Sequence, residues 1–411
     1  MRKYYVNVIL ISAIISGLAY IVYDKYFVKK QIFMASISSD GKHVITTDQD
    51  HLVLWNIEQK SKKVISGESW LYSAYFIKDS FYFMWQSKDH RVHVRDIQGK
   101  HVKEFTLEYQ VFGHIMTADL EHYISSDIDW NVYKGYGENK NKILDACAES
   151  GFLGRGKLLD LTFSQGGKYF TTAGDGSSHD KIPLSKGQCG LDAKRAGVPL
   201  KLFRNSSLMY GPILWDTITG KPLHKFPGHI SKATATISPD GKTVVSACEQ
   251  SRVFVWNAES GEQYFRLYGL SSGRFIPKTD KKIKDEDHVF FDKKGLIECP
   301  PDFYDPSGPQ PDSALSIKYI DMEGHYLRFN IYTHYAILYS DKDPKPLKYF
   351  SLREEPQPVN EWYDRGQAID TAPKANILVM ARQNGHGIIV FKFDPKKLEL
   401  KRIWVSNRHV F

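Results

Sequence analysis

Cysteine is scarce in this chain: Cys147, Cys189, Cys248 and Cys299 are four in 411 residues, and no two form a CxxC pair. A structural zinc site built on paired thiolates is thereby excluded. An even number still permits two disulfides in an oxidising compartment, and Cys147–Cys189 is the pair to test there. Cys248 closes an apolar strand, where a small buried free thiol is the ordinary reading. Also missing are a GxSxG elbow, a phosphate-binding glycine loop and an HExxH helix. Asp175, His179 and Asp180 form the one cluster that hints at a metal, but without calcium-loop spacing, so no metal and no cofactor is expected.

Charge of one sign is not in great excess either. The formal net charge is +8, and half of it sits in residues 1–30, where Arg2, Lys3, Lys25, Lys29 and Lys30 face only Asp24. The rest of the chain is too nearly balanced to suggest a nucleic-acid partner.

Long hydrophobic runs are absent except for one. Val6 to Tyr23 carries no charged residue and is flanked by Tyr4, Tyr5, Tyr20, Tyr23 and Tyr26. As a helix it is about 27 Å long, close to the roughly 30 Å hydrocarbon core of a bilayer, and the aromatic rings suit its interfaces. A cleaved signal peptide is the competing reading, with Gly17-Leu18-Ala19 as its small-residue site. The apolar run continues past that site, which favours an uncleaved single-pass anchor. Basic residues are nearly balanced on its two sides, so orientation rests on a weaker argument. An anchor at the extreme N-terminus followed by one large domain most often exports that domain, which makes it extracytoplasmic, periplasmic if bacterial.

What the chain has in abundance is repetition. Ser36–Asn56 reads SISSDGKHVITTDQDHLVLWN and Thr236–Asn257 reads TISPDGKTVVSACEQSRVFVWN. Each is a strand, an Asp-Gly turn, a strand, a polar turn and a strand ending in Trp-Asn. Weaker copies begin near Trp70, Gly113, Leu158, Ala314 and Gln367, and the fourth copy carries Trp215-Asp216-Thr217 with Thr219-Gly220. The Asp-Gly pairs mark a tight turn that needs positive φ.

These units resemble the WD-repeat β-propeller family. The residues that carry the resemblance are Gly228-His229, Ser238-Pro239-Asp240-Gly241, Trp256-Asn257, Trp215-Asp216 and Ser39-Asp40-Gly41 with Trp55-Asn56. The resemblance implies an all-β fold, a single propeller of about seven four-stranded blades over residues 32–405, with eight left open. Before it come a tail (1–5), a transmembrane helix (6–23) and a linker (24–31); residues 406–411 form a C-terminal tail. It further implies that each repeat Trp packs between blades and joins a hydrogen-bonded group with Ser or Thr, His and Asp. The fifth unit offers His229, Ser246 and Trp256 for this group, with Gln250 where Asp belongs. The seventh unit supplies four strands of its own, so ring closure by strand exchange is in question.

Three connections outgrow a compact blade: 174–211, 270–313 and 352–362. In this family the connection from strand two to three and the connection between blades emerge on one face, so all three crowd one rim. Long loops on a rigid scaffold are where function concentrates. The first insertion is mildly basic, with Lys181, Lys186, Lys194, Arg195, Lys201 and Arg204, a composition that also suits a plain solvated loop. The second holds Pro300-Pro301 and DPSGPQP, a semi-rigid strip.

The reading is a non-enzymatic scaffold, anchored in the lipid bilayer, that docks a protein partner on this face. The contacts expected are Trp70, Lys181, Lys194, Arg195, Lys201, Arg204, Tyr210 and Trp362. The alternative is an extracytoplasmic propeller hydrolase or lyase acting on an envelope polymer. It needs carboxylates or histidines converging on the channel mouth, for which Glu298, Asp302 and Asp305 are available.

Overall fold

The computed structural model describes residues 32–48, 50–67, 73–109, 111, 113–126, 132–136, 139–144, 157–175, 212–226, 233–248, 252–268, 315–330, 335–352, 369–381 and 387–406. These form seven four-stranded antiparallel sheets, each taken from one contiguous stretch of chain. Blade 1 is β1 (Ile32–Ile37), β2 (His43–Asp48), β3 (Leu52–Asn56) and β4 (Ser61–Ser66). Blade 2 is β5 (Ala74–Phe76), β6 (Tyr82–Gln86), β7 (Arg91–Asp96) and β8 (His101–Thr106). Blade 3 is β9 (Gly113–Met116), β10 (His122–Ser126), β11 (Val132–Tyr136) and β12 (Asn139–Leu144). Blade 4 is β13 (Lys157–Phe163), β14 (Tyr169–Asp175), β15 (Ile213–Asp216) and β16 (Pro222–Lys225). Blade 5 is β17 (Ala233–Ile237), β18 (Thr243–Cys248), β19 (Arg252–Asn257) and β20 (Gln263–Tyr268). Blade 6 is β21 (Leu315–Tyr319), β22 (His325–Asn330), β23 (Tyr335–Ser340) and β24 (Asp343–Ser351). Blade 7 is β25 (Ile369–Ala372), β26 (Ile377–Ala381), β27 (Ile388–Asp394) and β28 (Glu399–Val405).

The first strands of neighbouring blades meet around a ring, β9 with β13, β13 with β17, β17 with β21, β21 with β25, β25 with β1 and β1 with β5. Blades 2 and 3 join through Met84, Val92, Val94, Val111, Met116 and Tyr123. The middle strands are buried on both faces and read as continuous apolar runs, such as Ile377–Ala381, whereas the outermost β4 alternates little and is mostly exposed. This gradient is what a stack of blades requires: inner strands have neighbours on both sides, and outer strands face water.

The Asp-Gly turns have one geometry. Ser38 Oγ donates to Asp40 Oδ1 at 2.6 Å and accepts from His43 N at 2.9 Å, and Gly41 takes φ 72°. Ser238, Asp240 and Gly241 repeat it, with 2.6 Å, 2.9 Å and φ 74°. The side chains satisfy backbone donors that the tight turn would leave unpaired.

Seven blades, not eight, are present among the described residues. Among the described residues the ring closes without strand exchange, since blade 7 holds β25 to β28 alone. Side chains do the work instead. Ala35, Ile37, Val44, Val53, Trp55 and Ile57 of blade 1 form one apolar cluster with Ala372, Ile377, Val379, Ile388 and Val390 of blade 7. The segment 6–23 lies outside the described residues; among those described, no helix is long and apolar enough to cross a membrane.

Candidate functional site

Three repeat tryptophans lie among the described residues, each bonded to a hydroxyl of the second strand of its own blade. Trp55 Nε1 donates to Thr46 Oγ1 at 2.8 Å, Trp215 Nε1 to Thr172 Oγ1 at 2.8 Å, and Trp256 Nε1 to Ser246 Oγ at 2.9 Å. Each indole faces the preceding blade: Trp55 packs with blade 7, Trp215 with Ile124 and Val132 of blade 3, Trp256 with Leu214 and Phe226 of blade 4. Asp216 accepts from both the backbone and the hydroxyl of Thr219, closing the turn before β16. His229 and Gln250 lie outside the described residues.

So do all the expected partner contacts, Trp70, Lys181, Lys194, Arg195, Lys201, Arg204, Tyr210 and Trp362, and with them Glu298, Asp302 and Asp305. The backbone of Asp175 ends β14; His179, Asp180, Cys147, Cys189 and Cys299 are outside. What the structure does fix is the side from which the insertions leave. Antiparallel order puts the ends of β14, β20 and β24 on one face, together with the starts of β15, β21 and β25. The turns from first to second strand, Ser39–Lys42 in blade 1 among them, lie on the opposite face.

That opposite face holds the mouth of the central channel, a cavity of about 80 Å3 lined by Lys78, Lys318, Lys374 and Asp370 with threonine and proline from neighbouring blades. Asp370, on the innermost strand of blade 7, ties three blades together. Its Oδ2 accepts from Ser36 Oγ at 3.0 Å, from Ile37 N at 3.0 Å and from Lys78 Nζ at 3.4 Å. Burial alone would push this carboxyl up, but the ammonium groups of Lys78 and Lys318 and the N–H groups of Ile37 and Thr371 hold it below the usual carboxylate range. Asp79, at φ 58° in the blade 2 turn, is the second bridge. It accepts from Lys374 Nζ of blade 7 at 2.6 Å and from Gly166 N of blade 4 at 2.7 Å, and its own N–H donates to Ser39 Oγ of blade 1 at 2.8 Å. Neither Asp370 nor Asp79 was singled out by the sequence, because the partners that let each bridge blades are far away in the chain.

Two further clusters have the look of chemistry. Ser87 Oγ lies 2.8 Å from His93 Nε2, and His93 Nδ1 lies 2.9 Å from Glu104 Oε2, the order of a hydrolase triad. Ser87 is buried, however, and its hydroxyl donates to Asp89 Oδ1 at 2.5 Å, so a lone pair rather than the proton faces His93. The same Ser/Thr-to-Asp bond shapes the turns at Ser38, Thr117 and Ser238. It is a turn device of this chain, not an activated nucleophile. Asp321, Glu323 and His325 stand close enough to share a metal ion. Here too the carboxylate is engaged: Asp321 Oδ1 accepts from Glu323 N at 2.9 Å and His325 N at 3.0 Å, and Oδ2 pairs with His325 Nδ1 at 2.5 Å.

Residues 220–257 match the family model described as WD domain, G-beta repeat. The match begins just ahead of the last strand of blade 4 and covers the first three of blade 5. Among solved structures, Hsv2 of Kluyvelomyces marxianus aligns at TM-score 0.52 and 9% identity, over 93% of this chain and 100% of that one. The β-propeller domain of Myceliophteria thermophila Cps50 (Swd1) aligns at 0.52 and 10%, over 88% and 96%. A chain of the mitotic checkpoint complex aligns at 0.53 and 9%, over 91% and 87%. No curated protein sequence matches. At these identities the structural likeness speaks for the fold alone. The ring of seven four-stranded blades is a β-propeller, and one stretch of it, residues 220–257, is similar to the WD repeat.

Proposed function

We propose that the protein is a membrane-anchored interaction scaffold whose propeller docks a protein partner on the face bearing the insertions. A rigid ring with apolar inter-blade packing suits presentation rather than turnover, and a chain of similar fold is found in the mitotic checkpoint complex. The observation that carries the docking face is topological. The three long connections begin and end at strand termini on one side of the ring, which supports that side as the docking face. The apolar run 6–23, with its tyrosine-rich ends, supports anchoring in the bilayer, and the arrangement proposed is an exported propeller. At the opposite mouth, Asp370 and Asp79 are each bonded to a lysine, which suits a structural role better than acid–base chemistry.

Photo-crosslinkers placed at Trp70 or Trp362 in intact membranes should give a defined protein adduct, whereas one at Glu58, exposed on the opposite face, should not. An adduct from Glu58 alone would overturn the assignment of the face. A compartment-sensitive reporter fused after Phe411 reads the topology independently: activity only in the cytoplasm rules out the exported arrangement.

A further inference from the structure

The chain enters the ring at the seam that closes it. β1 opens blade 1 on the insertion-bearing face, and Ile32 at its start packs against Ala381 of blade 7. The apolar run read as the anchor ends at Tyr23, which leaves residues 24–31 before β1. Those eight residues reach at most about 28 Å, so a ring anchored there stays close to the bilayer with this seam nearest to it.

The outer end of the same seam lies about 14 Å from β1, three strand spacings across the blade. It is both basic and apolar. Residues 58–66 carry Lys60, Lys62 and Lys63 against Glu58, which is paired with Lys42 at 2.9 Å. Residues 395–405 carry Lys396, Lys397, Lys401 and Arg402 against Glu399. Val64 and Ile403 are exposed among these charges. Val64 stands opposite Val53, on the side of blade 1 that meets blade 7. Ile403 sits at a bulge, since Val390 pairs with Trp404 and Phe391 with Arg402, and bulges re-aim side chains. Trp404 is half-buried against Trp55 across the seam. Aliphatic side chains and an indole set among ammonium and guanidinium groups match the headgroup layer of a bilayer.

We propose that this edge of the propeller, the outer strands β4 and β28, rests on an anionic bilayer surface. Val64, Ile403 and Trp404 turn toward the acyl boundary, and Lys60, Lys401 and Arg402 meet lipid phosphates. This placement rests on the reading of residues 6–23 as an anchor and adds an orientation to it. With one edge on the lipid, the ring axis lies along the membrane plane, and the insertion-bearing face stays open to its protein partner.

The full-length chain, reconstituted in vesicles of phosphatidylcholine with and without phosphatidylglycerol, tests this. It carries a photo-crosslinking residue at Ile403 or, as a control, at Tyr264, an exposed position of blade 5. An alkaline wash first reports anchoring: a chain that leaves the vesicles overturns the anchor reading and this placement with it. In a retained chain, Ile403 should give lipid adducts and Tyr264 should not, and the yield at Ile403 should rise several-fold with phosphatidylglycerol. Each basic residue near an anionic leaflet contributes roughly fivefold in attraction, so Lys401→Glu combined with Arg402→Glu should cut that yield at least about fivefold. Both side chains are exposed, so an unchanged thermal unfolding midpoint should accompany the loss. Equal yields at the two positions, a yield indifferent to phosphatidylglycerol, or adducts to a second copy of the chain would overturn the edge placement and leave the anchor standing.

Discussion

The indole of Trp404, on the last strand, stands edge-on to that of Trp55 in blade 1, with ring centroids 5.9 Å apart and planes inclined at 70°. This pair lies where a ring built without strand exchange must close. A propeller that swaps a strand across its seam gains a ladder of backbone hydrogen bonds there; among the described residues this one is joined through side chains instead, so each seam contact carries more weight. Trp404 is half-buried, and its truncation to Ala should cost about 2 kcal/mol. Limited proteolysis of Trp404→Ala should cut first in blade 7. Equal susceptibility of all blades would show that the seam is no weaker than the rest.

Asp370 is the polar counterpart of that packing. Its replacement by Ala leaves Ser36 Oγ and Ile37 N without their shared acceptor and should cost about 3 kcal/mol, against about 1 kcal/mol for Asn, which keeps an acceptor oxygen. The pH dependence has a definite sign. The folded carboxyl titrates below its ordinary value of about 3.9, so its contribution is complete above that value and is lost as pH falls through the folded pKa. The stability gap between wild type and Asp370→Asn, from urea unfolding, should therefore hold from neutral pH to about pH 4 and shrink below it. A gap that widens in acid would contradict this assignment.

Gly41 and Gly166 separate two reasons for glycine. Both have positive φ, 72° and 77°. A Cβ on Gly41 would come within 2.5 Å of Ala375 Cβ across the seam, while one on Gly166 meets nothing within 4 Å. Gly166→Ala should cost only the backbone strain, about 1 kcal/mol, and Gly41→Ala about 2–4 kcal/mol. Thermal unfolding of the two variants in parallel reads the difference directly.

Blade boundaries and repeat tryptophans were legible in the sequence because their signals are local. An Asp-Gly pair, an alternating strand and a Trp nine or ten residues after its Ser or Thr all fit inside one blade. The channel mouth was not legible, for the opposite reason. Asp79 lies 295 residues from Lys374, and Asp370 lies 334 from Ser36; no spacing rule joins them until the ring has closed. Asp79 itself reads as an ordinary turn residue, and only the meeting of four blades at that residue gives it a role. The blade count was ambiguous because blades 2, 3, 6 and 7 lack the Trp and hold together by apolar packing instead.

The Trp55–Thr46 bond offers a double-mutant cycle. Trp55→Phe keeps an aromatic ring but removes the indole donor from the buried Thr46 hydroxyl, which should cost about 2 kcal/mol. In the Thr46→Val background the hydroxyl is already gone, so the same change should cost about 1 kcal/mol less. Additive costs would mean that packing, not the hydrogen bond, selects Trp there.

His325 supplies a second pH signature, opposite in sign to that of Asp370. Its hydrogen bond to Asp321 raises its pKa above the ordinary value of about 6.5, outweighing the effect of burial. The charged imidazole thus favours the folded state, fully so below pH 6.5, and that contribution fades as pH rises through the raised folded value. Wild type should exceed His325→Asn in stability at pH 6, and the margin should narrow at alkaline pH. A margin that grows with rising pH would mean that the neutral imidazole is the form the blade 6 turn prefers, and that Asp321 serves its two backbone donors alone.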